Sequence, residues 1–348
     1  MPVKDRKPTL KDVARLAGVS YQTVSCVVNN LPVVKEETRQ RVLMAIQTLN
    51  YTPDAAARSL RSGQTRIIGL LIPDAHNPHF WQVVSGAEEE ALANGYSLLL
   101  ATASLNPQRE ALAFRALARQ QLDALIPLFT YPEHFIDDLK ALQAQRVPFV
   151  LSGAGGALWG LEADTISMQY RQVAAELMEH LLALGHRRIA LICGVGRGGL
   201  GRGRVSAYQE ALSNAGLPAD GPLLVHCGSS LEDGYRAALH LLDLDPPPTA
   251  IIGINDLLAF GALQAVLGRG LRVPADISLA GFDDLPQSAL LSPPLTSGRV
   301  DGAEFGRQCV RLVLARLANP ALPPQHIPLP AQLVIRASTG KVKATDES

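Results

Sequence analysis

From Ile67 onward the chain alternates short, continuous apolar runs with longer stretches of helical periodicity, and that rhythm leaves few folds open. Ile67-Ile68-Gly69-Leu70-Leu71-Ile72 contains no polar side chain, the mark of a strand covered on both faces. A helix is expected from about Phe80 to Asn94, stopped at Gly95. Strands follow at Ser97–Ala101, Ala124–Leu128 and Pro148–Leu151, separated by helical stretches. After Thr165 the pattern restarts. Helices Arg171–Leu184, Val205–Ala215, Leu231–Leu244 and Leu257–Leu267 interleave with strands Ile189–Cys193, Leu223–Val225, Ala250–Ile254 and Ile277–Ala280. Such alternation gives parallel sheets with right-handed crossovers. Two sets of it predict two doubly wound lobes, with a ligand cleft between them at the strand C-termini.

The first fifty residues follow a different period and read as three short helices. Thr9-Leu10-Lys11-Asp12 resembles a capping box, and Val13, Ala14 and Ala17 form an inward stripe. Gly18 ends that helix where a left-handed backbone is easiest, and Ser20 caps the next. Val42, Ile46 and Leu49 recur at helical spacing in the third. Two short helices around Gly18-Val19-Ser20 make a helix-turn-helix. The net charge of zero hides an asymmetry: residues 1–64 carry ten basic and five acidic side chains, a surplus of +5, which leaves −5 on the rest. A basic head on an acidic body suits phosphate attraction without general stickiness.

Several function classes fail on composition. Met1 to Lys11 is polar with both charge signs, so no secretion signal is expected, and no apolar run is long enough to span a bilayer. Cys26, Cys193, Cys227 and Cys309 are widely spaced without a CxxC pair; neither a metal site nor a disulfide framework is expected, and the cytoplasm fits best. Gly194-Val195-Gly196-Arg197-Gly198-Gly199 matches GxGxxG between a strand and a helix. The following strand, however, ends in His226-Cys227-Gly228 rather than in the acid a dinucleotide ribose needs. With no GxSxG, HExxH or P-loop either, no enzyme activity and no cofactor are expected. A periplasmic sugar-binding protein would share the two lobes but would need a signal peptide and would lack residues 1–64.

Leu10-Lys11-Asp12-Val13-Ala14, Gly18-Val19-Ser20, Thr23-Val24-Ser25 and Val28-Asn29-Asn30 resemble the head of the lactose/galactose/purine repressor family. Tyr51-Thr52-Pro53-Asp54-Ala55-Ala56-Ala57-Arg58-Ser59-Leu60 is similar to its hinge helix, and further matches run in order to Arg336-Ala337-Ser338-Thr339-Gly340. The resemblance implies an all-α helix-turn-helix head over 1–50 and a hinge helix over 51–65. It then implies an α/β, periplasmic-binding-protein-like body with a first lobe over 66–165 and 298–324, a second over 166–297 and 325–340, and a flexible tail over 341–348. Double-stranded operator DNA of near-palindromic sequence, a small-molecule effector and a second copy of the chain are the implied partners, with no membrane. The tail lacks leucine heptads, so a dimer is expected rather than a coiled-coil tetramer.

For DNA the resemblance implies Thr9, Ser20, Tyr21, Gln22, Thr23, Ser25 and Asn29 in the head. Leu60, between Arg58 and Arg61, would wedge into the minor groove. Gln22 suits adenine, and Tyr21 suits bases or phosphate. Cys26 departs from the arginine common there, and Asp54 from an asparagine. For the effector it implies Asn77, Phe80, Gln169, Arg202, Arg204, Asn255 and Asp283. Gln169 stands where many members carry an acid, Ser229 where an aromatic often stacks, and Arg197 and Arg202 lie near Arg204. That balance points to an anionic effector, a sugar acid or phosphorylated sugar. His76, His79 and His134 are further candidates for the cleft, although scattered histidines are more often surface residues.

Overall fold

The computed structural model describes residues 8–28, 31–52, 63–153, 160–194 and 201–343, in two units divided between Thr65 and Arg66. The first unit holds α1 (Leu10–Ala17), α2 (Tyr21–Val28) and α3 (Glu36–Thr48). The Asp12 carboxylate accepts from both the Thr9 N–H (2.9 Å) and the Thr9 hydroxyl (2.6 Å). Gly18 closes α1 at φ 63°, and the Ser20 hydroxyl accepts from the Thr23 N–H at 3.1 Å to open α2. Val13, Ala14, Ala17, Val24, Val27, Val42, Ala45 and Tyr51 form its core. Residues 53–62 of the expected hinge helix lie outside the described residues.

The second unit is a duplicated doubly wound body. In its first lobe β1 (Ile67–Ile72) pairs in parallel with β2 (Ser97–Thr102) and β3 (Ala124–Pro127). β4 (Val150–Ser152), β5 (Asp164–Met168) and β11 (His326–Leu329) make a second parallel set, which a bridge from Leu125 to Phe149 joins to β3. The order is therefore β2-β1-β3-β4-β5-β11. The second lobe repeats it: β7 (Leu224–Val225), β6 (Ile189–Ile192), β8 (Ala250–Gly253), β9 (Ser278–Phe282), β10 (Thr296–Val300) and β12 (Ala331–Val334), the last antiparallel. The switch in strand order falls beside β1 and β6, where a doubly wound sheet opens a crevice at its strand C-termini.

The chain crosses between lobes three times, and at other residues than expected. β5 pairs with β4, so the first lobe runs to Met168 rather than 165; β10 pairs with β9, so the second keeps the chain to Val300 rather than 297. β11 pairs with β5 and so returns 326–329 to the first lobe. These strands escape an apolar reading because Thr165, Thr296 and Ser297 fill buried positions with their hydroxyls bonded. The expected loose tail also differs. The Val342 N–H donates to the Leu184 carbonyl at 3.1 Å and Lys343 pairs with Asp276, so its first three residues are tied to the second lobe.

Each lobe contains one helix pair packed backbone to backbone. In the first, α4 (Pro78–Ala93) crosses α11 (Gly302–Ala318); a methyl at Gly86 would sit 1.9 Å from the Ala303 carbonyl oxygen, and one at Gly306 2.0 Å from that of Val83. In the second, α9 (Leu231–Leu242) crosses α10 (Asp256–Gly268), with Gly234 2.2 Å from the Leu258 oxygen and Gly261 2.0 Å from that of Leu231 on the same test. Helix propensity alone favours alanine by about 1 kcal/mol at a mid-helix glycine. Here the backbones would have to part, so Gly306→Ala and Gly234→Ala are each expected to cost about 1–3 kcal/mol. Lower midpoints in denaturant unfolding check this; a rise would show that the crossings are loose.

Candidate ligand site between the lobes

β1 ends at Ile72, and five residues on Asn77 caps α4, its side-chain oxygen accepting from the His79 N–H at 2.9 Å. On the other side β9 ends at Phe282 and the backbone turns sharply, with Asp283 at φ 103°. That is a strained conformation for a residue with a Cβ, worth about 1–3 kcal/mol. The turn aims the Asp283 carboxylate across the lobe boundary. The Asn77 amide donates to its Oδ2 at 2.9 Å, and the Tyr170 hydroxyl to its Oδ1 at 3.0 Å. Tyr170 is the first residue of α7 (Tyr170–Ala183), immediately past a crossing.

Arg204, on α8 (Arg202–Asn214), lies beneath this bridge. Only 9% exposed, its guanidinium carbon stands 4.4 Å over the Tyr170 ring and 5.5 Å from that of Phe282. Stacking of this kind suits the flat, weakly hydrated guanidinium and fixes its fork. Burial, and then the Asp283 charge, holds the Tyr170 phenol well above the usual range, so it stays a donor. Asn255 caps α10, accepting from the Leu258 N–H at 2.9 Å and donating to the Ser229 carbonyl at 3.3 Å. Next to it Asp256 is wholly buried, accepting from the Leu285 N–H and from the hydroxyls of Ser288 and Ser297. Burial, then the Asp283 charge, pushes its carboxyl up to about 7.

These groups enclose a cavity of about 210 Å³. Of the expected effector residues, Asn77, Phe80, Arg204, Asn255 and Asp283 line it. Gln169 and Arg202 do not. Gln169 sits at the crossing between β5 and α7, donating to the Ser167 hydroxyl at 3.0 Å. Arg202 is exposed at the start of α8. Positions two apart on a helix face different ways, so closeness to Arg204 in sequence does not bring it into the cavity. Arg197 lies outside the described residues. Among the three histidines only His79 lines the cavity; His76 bonds Asp74 with its ring exposed, and His134 stacks on Tyr131. Tyr170 is not among the expected residues: the sequence places the helix start one residue later, at Arg171, and the helix begins at Tyr170 itself.

In the head, Ser20, Tyr21 and Gln22 are exposed at the start of α2, with Tyr21 at 43%, while Thr23 and Ser25 are half-buried. Thr9 is exposed but its hydroxyl is engaged in the α1 cap. Asn29, Arg58, Leu60 and Arg61 lie outside the described residues. Among the described residues no helix is long and apolar enough to cross a membrane, and no cluster of His, Cys, Asp and Glu could hold a metal ion.

Residues 9–54 match the model of the bacterial regulatory proteins of the lacI family, and residues 178–339 that of a periplasmic binding protein-like domain. The HTH-type transcriptional repressor PurR of Haemophilus influenzae is 32% identical over 340 residues, covering 96% of this chain and 99% of that protein. The ribose operon repressor of the same organism is 34% identical, with 96% and 99% covered. The chain belongs to the lacI family. Among solved structures, the lac repressor dimer bound to operator and the anti-inducer ONPF superposes with a TM-score of 0.83 at 29% identity, covering 96% of this chain and all of that one. As a lacI-family member the protein is a DNA-binding transcriptional repressor with a ligand-binding domain, and its relatives are regulators rather than enzymes.

The Tyr170 hydroxyl bonds a buried carboxylate, an interaction worth about 1.5–3 kcal/mol. Tyr170→Phe keeps the ring over Arg204 and removes only that bond. It is expected to lower stability by that amount in thermal unfolding, with the aromatic packing intact in near-ultraviolet circular dichroism.

Proposed function

We propose that a homodimer of this chain represses by holding a near-palindromic operator, and that a small polyhydroxylated effector, a sugar or sugar acid, controls it from the cavity between the lobes. The observation that carries this reading is the Asp283 carboxylate, bonded from the first lobe by Asn77 and from the crossing by Tyr170. A ligand hydroxyl pair reaching Asp283 must either replace the Asn77 bond or join it. Occupancy is thereby linked to the angle between lobes, a coupling typically worth about 1–3 kcal/mol. The stacked Arg204 fork offers paired donors to vicinal oxygens. A cavity of about 210 Å³ falls below the roughly 300–1,000 Å³ of sites for drug-sized ligands, which favours a monosaccharide-sized molecule.

On the DNA side, Ser20, Tyr21, Gln22, Thr23 and Ser25 would meet bases and phosphates in the major groove, supported by Thr9 and Asn29. Leu60 from each chain would wedge in the minor groove between Arg58 and Arg61. The half-buried Cys26 cannot make an arginine's bidentate contact to guanine, worth about 1–3 kcal/mol of discrimination. Cys26→Arg is therefore expected to move the preferred base at one symmetric operator position in a binding selection.

The likeness to repressors named PurR makes a purine the second candidate effector, while the likeness to a ribose operon repressor, at 34% identity, favours a sugar. Calorimetric titration with ribose, glucose, gluconate, hypoxanthine and guanine decides between them, paired with gel shifts on the chain's own upstream DNA at two salt concentrations. A sugar or sugar acid should bind and change operator affinity about 5–150-fold. Arg204→Lys should weaken effector binding at least about tenfold, since an ammonium does not stack or fork, whereas Arg202→Ala should leave it within about twofold. Binding by a purine alone would replace this reading of the effector, and the absence of a specific shift would remove the operator from it.

A further inference from the structure

His79 is 3% exposed and lines the cavity, yet neither ring nitrogen has a hydrogen-bond partner among the described residues, and Nδ1 is wholly enclosed. A buried polar group left without a partner costs about 1–3 kcal/mol; with Nδ1 closed in by protein, Nε2 is the ring nitrogen that a ligand in the cavity would meet. Its backbone N–H is spoken for by the Asn77 cap, and its ring meets Phe80 edge to face at 5.6 Å. Only the imidazole nitrogens remain to be used.

The charges around it decide what kind of ligand that is. Asp74 and Asp283 on the cavity wall balance Arg171 and Arg204, so the lining carries no net charge while His79 is neutral. Asp301 and Glu304 open α11, which packs against α4; the first caps that helix and the second is held by Arg307 and Gln308. His79 also stands in the first turn of the sixteen-residue α4, whose dipole disfavours a cation there and favours an anion. Resting on the effector site described above, we propose that the effector is an acid, and that its carboxylate or phosphate seats against His79 and draws a proton onto that ring. Binding is then coupled to proton uptake, and His79 makes the cavity selective for the acid over its neutral parent.

The direction of the titration agrees with this geometry. Burial foremost lowers the His79 pKa from its ordinary value near 6.5; the Asp283 charge works against burial and that of Arg204 with it. In the empty site the ring is therefore neutral at pH 7. An anion in contact favours the charged form and raises the pKa, so the complex holds a proton that the free protein lacks. Affinity for the acid rises as pH falls from 8 toward 6, by up to about tenfold per pH unit where one full proton is taken up.

The test is calorimetric titration of the full chain with gluconate, glucuronate, glucose 6-phosphate, glucose and ribose, between pH 6 and 8, in three buffers of different ionisation enthalpy. The expected result is that the tightest binder is an acid, that its apparent enthalpy varies with the buffer by 0.5 to 1 proton taken up, and that it binds about tenfold or more tighter at pH 6 than at pH 8. His79→Gln, which offers a neutral amide of similar reach, should bind the same acid with markedly less proton uptake and a flatter pH profile than the unaltered chain. His79→Phe should bind it more weakly than His79→Gln. An acid that binds without proton uptake, or a neutral sugar that binds as tightly at pH 6, overturns the proposal while leaving the sugar-type reading intact. If none of the five binds, both fall together.

Discussion

The Asp283 carboxylate takes one hydrogen bond from each side of the lobe boundary, from Asn77 beyond β1 and from Tyr170 at the head of α7. Much of the surrounding structure serves to hold that acid in place. The left-handed turn at Asp283 aims it outward, and its N–H donates to the Gly298 carbonyl on the neighbouring strand at 2.9 Å. Asp256 ties the segment after that turn back to α10 through Leu285 and Ser288, and reaches β10 through Ser297. Burial first, and then the nearby Asp283 charge, raises the proton affinity of Asp256, the more enclosed of the two acids. The strain and the repulsion are both met at one place, where a ligand can relieve them.

How much of this could be read from residues alone depends on whether burial and hydrophobicity coincide. Ile67–Ile72, Ile189–Ile192 and Ala250–Gly253 are buried because they are apolar, and their strands are plain in the sequence. β5 and β10 carry buried hydroxyls, Thr165 bonded to the His326 ring, Thr296 to Thr339 and the Arg336 carbonyl, and Ser297 to Asp256, so periodicity passes over them, and the lobe boundaries move with them. Asn77, Arg204, Asn255 and Asp283 were legible only through family likeness, since each also passes for a cap or a surface charge. Tyr170 and His79 were not legible as a pair at all. Tyr170 carries no ligand signal in the sequence, and His79 is one of three candidate histidines until the fold sets both along one cavity.

The glycine crossings give the lobes a different mechanical character from the boundary between them. Where backbones touch at Gly86 and Gly306, and again at Gly234 and Gly261, close packing leaves little room for helices to slide. The boundary between the lobes differs: at Asp283 it is polar and bridged by two side-chain hydrogen bonds. Such an interface has discrete alternatives in its hydrogen bonding, which is what a switch between two states requires.

The three chain crossings add a topological constraint. At Gln169 the backbone passes from β5 to α7 with its N–H bonded to the Leu329 carbonyl, next to the crossing that leads from β11 to β12. A single cut at any one crossing would leave the lobes tethered by the other two. Joined by three chain segments rather than one, the lobes keep fewer relative degrees of freedom than two domains on a single tether would.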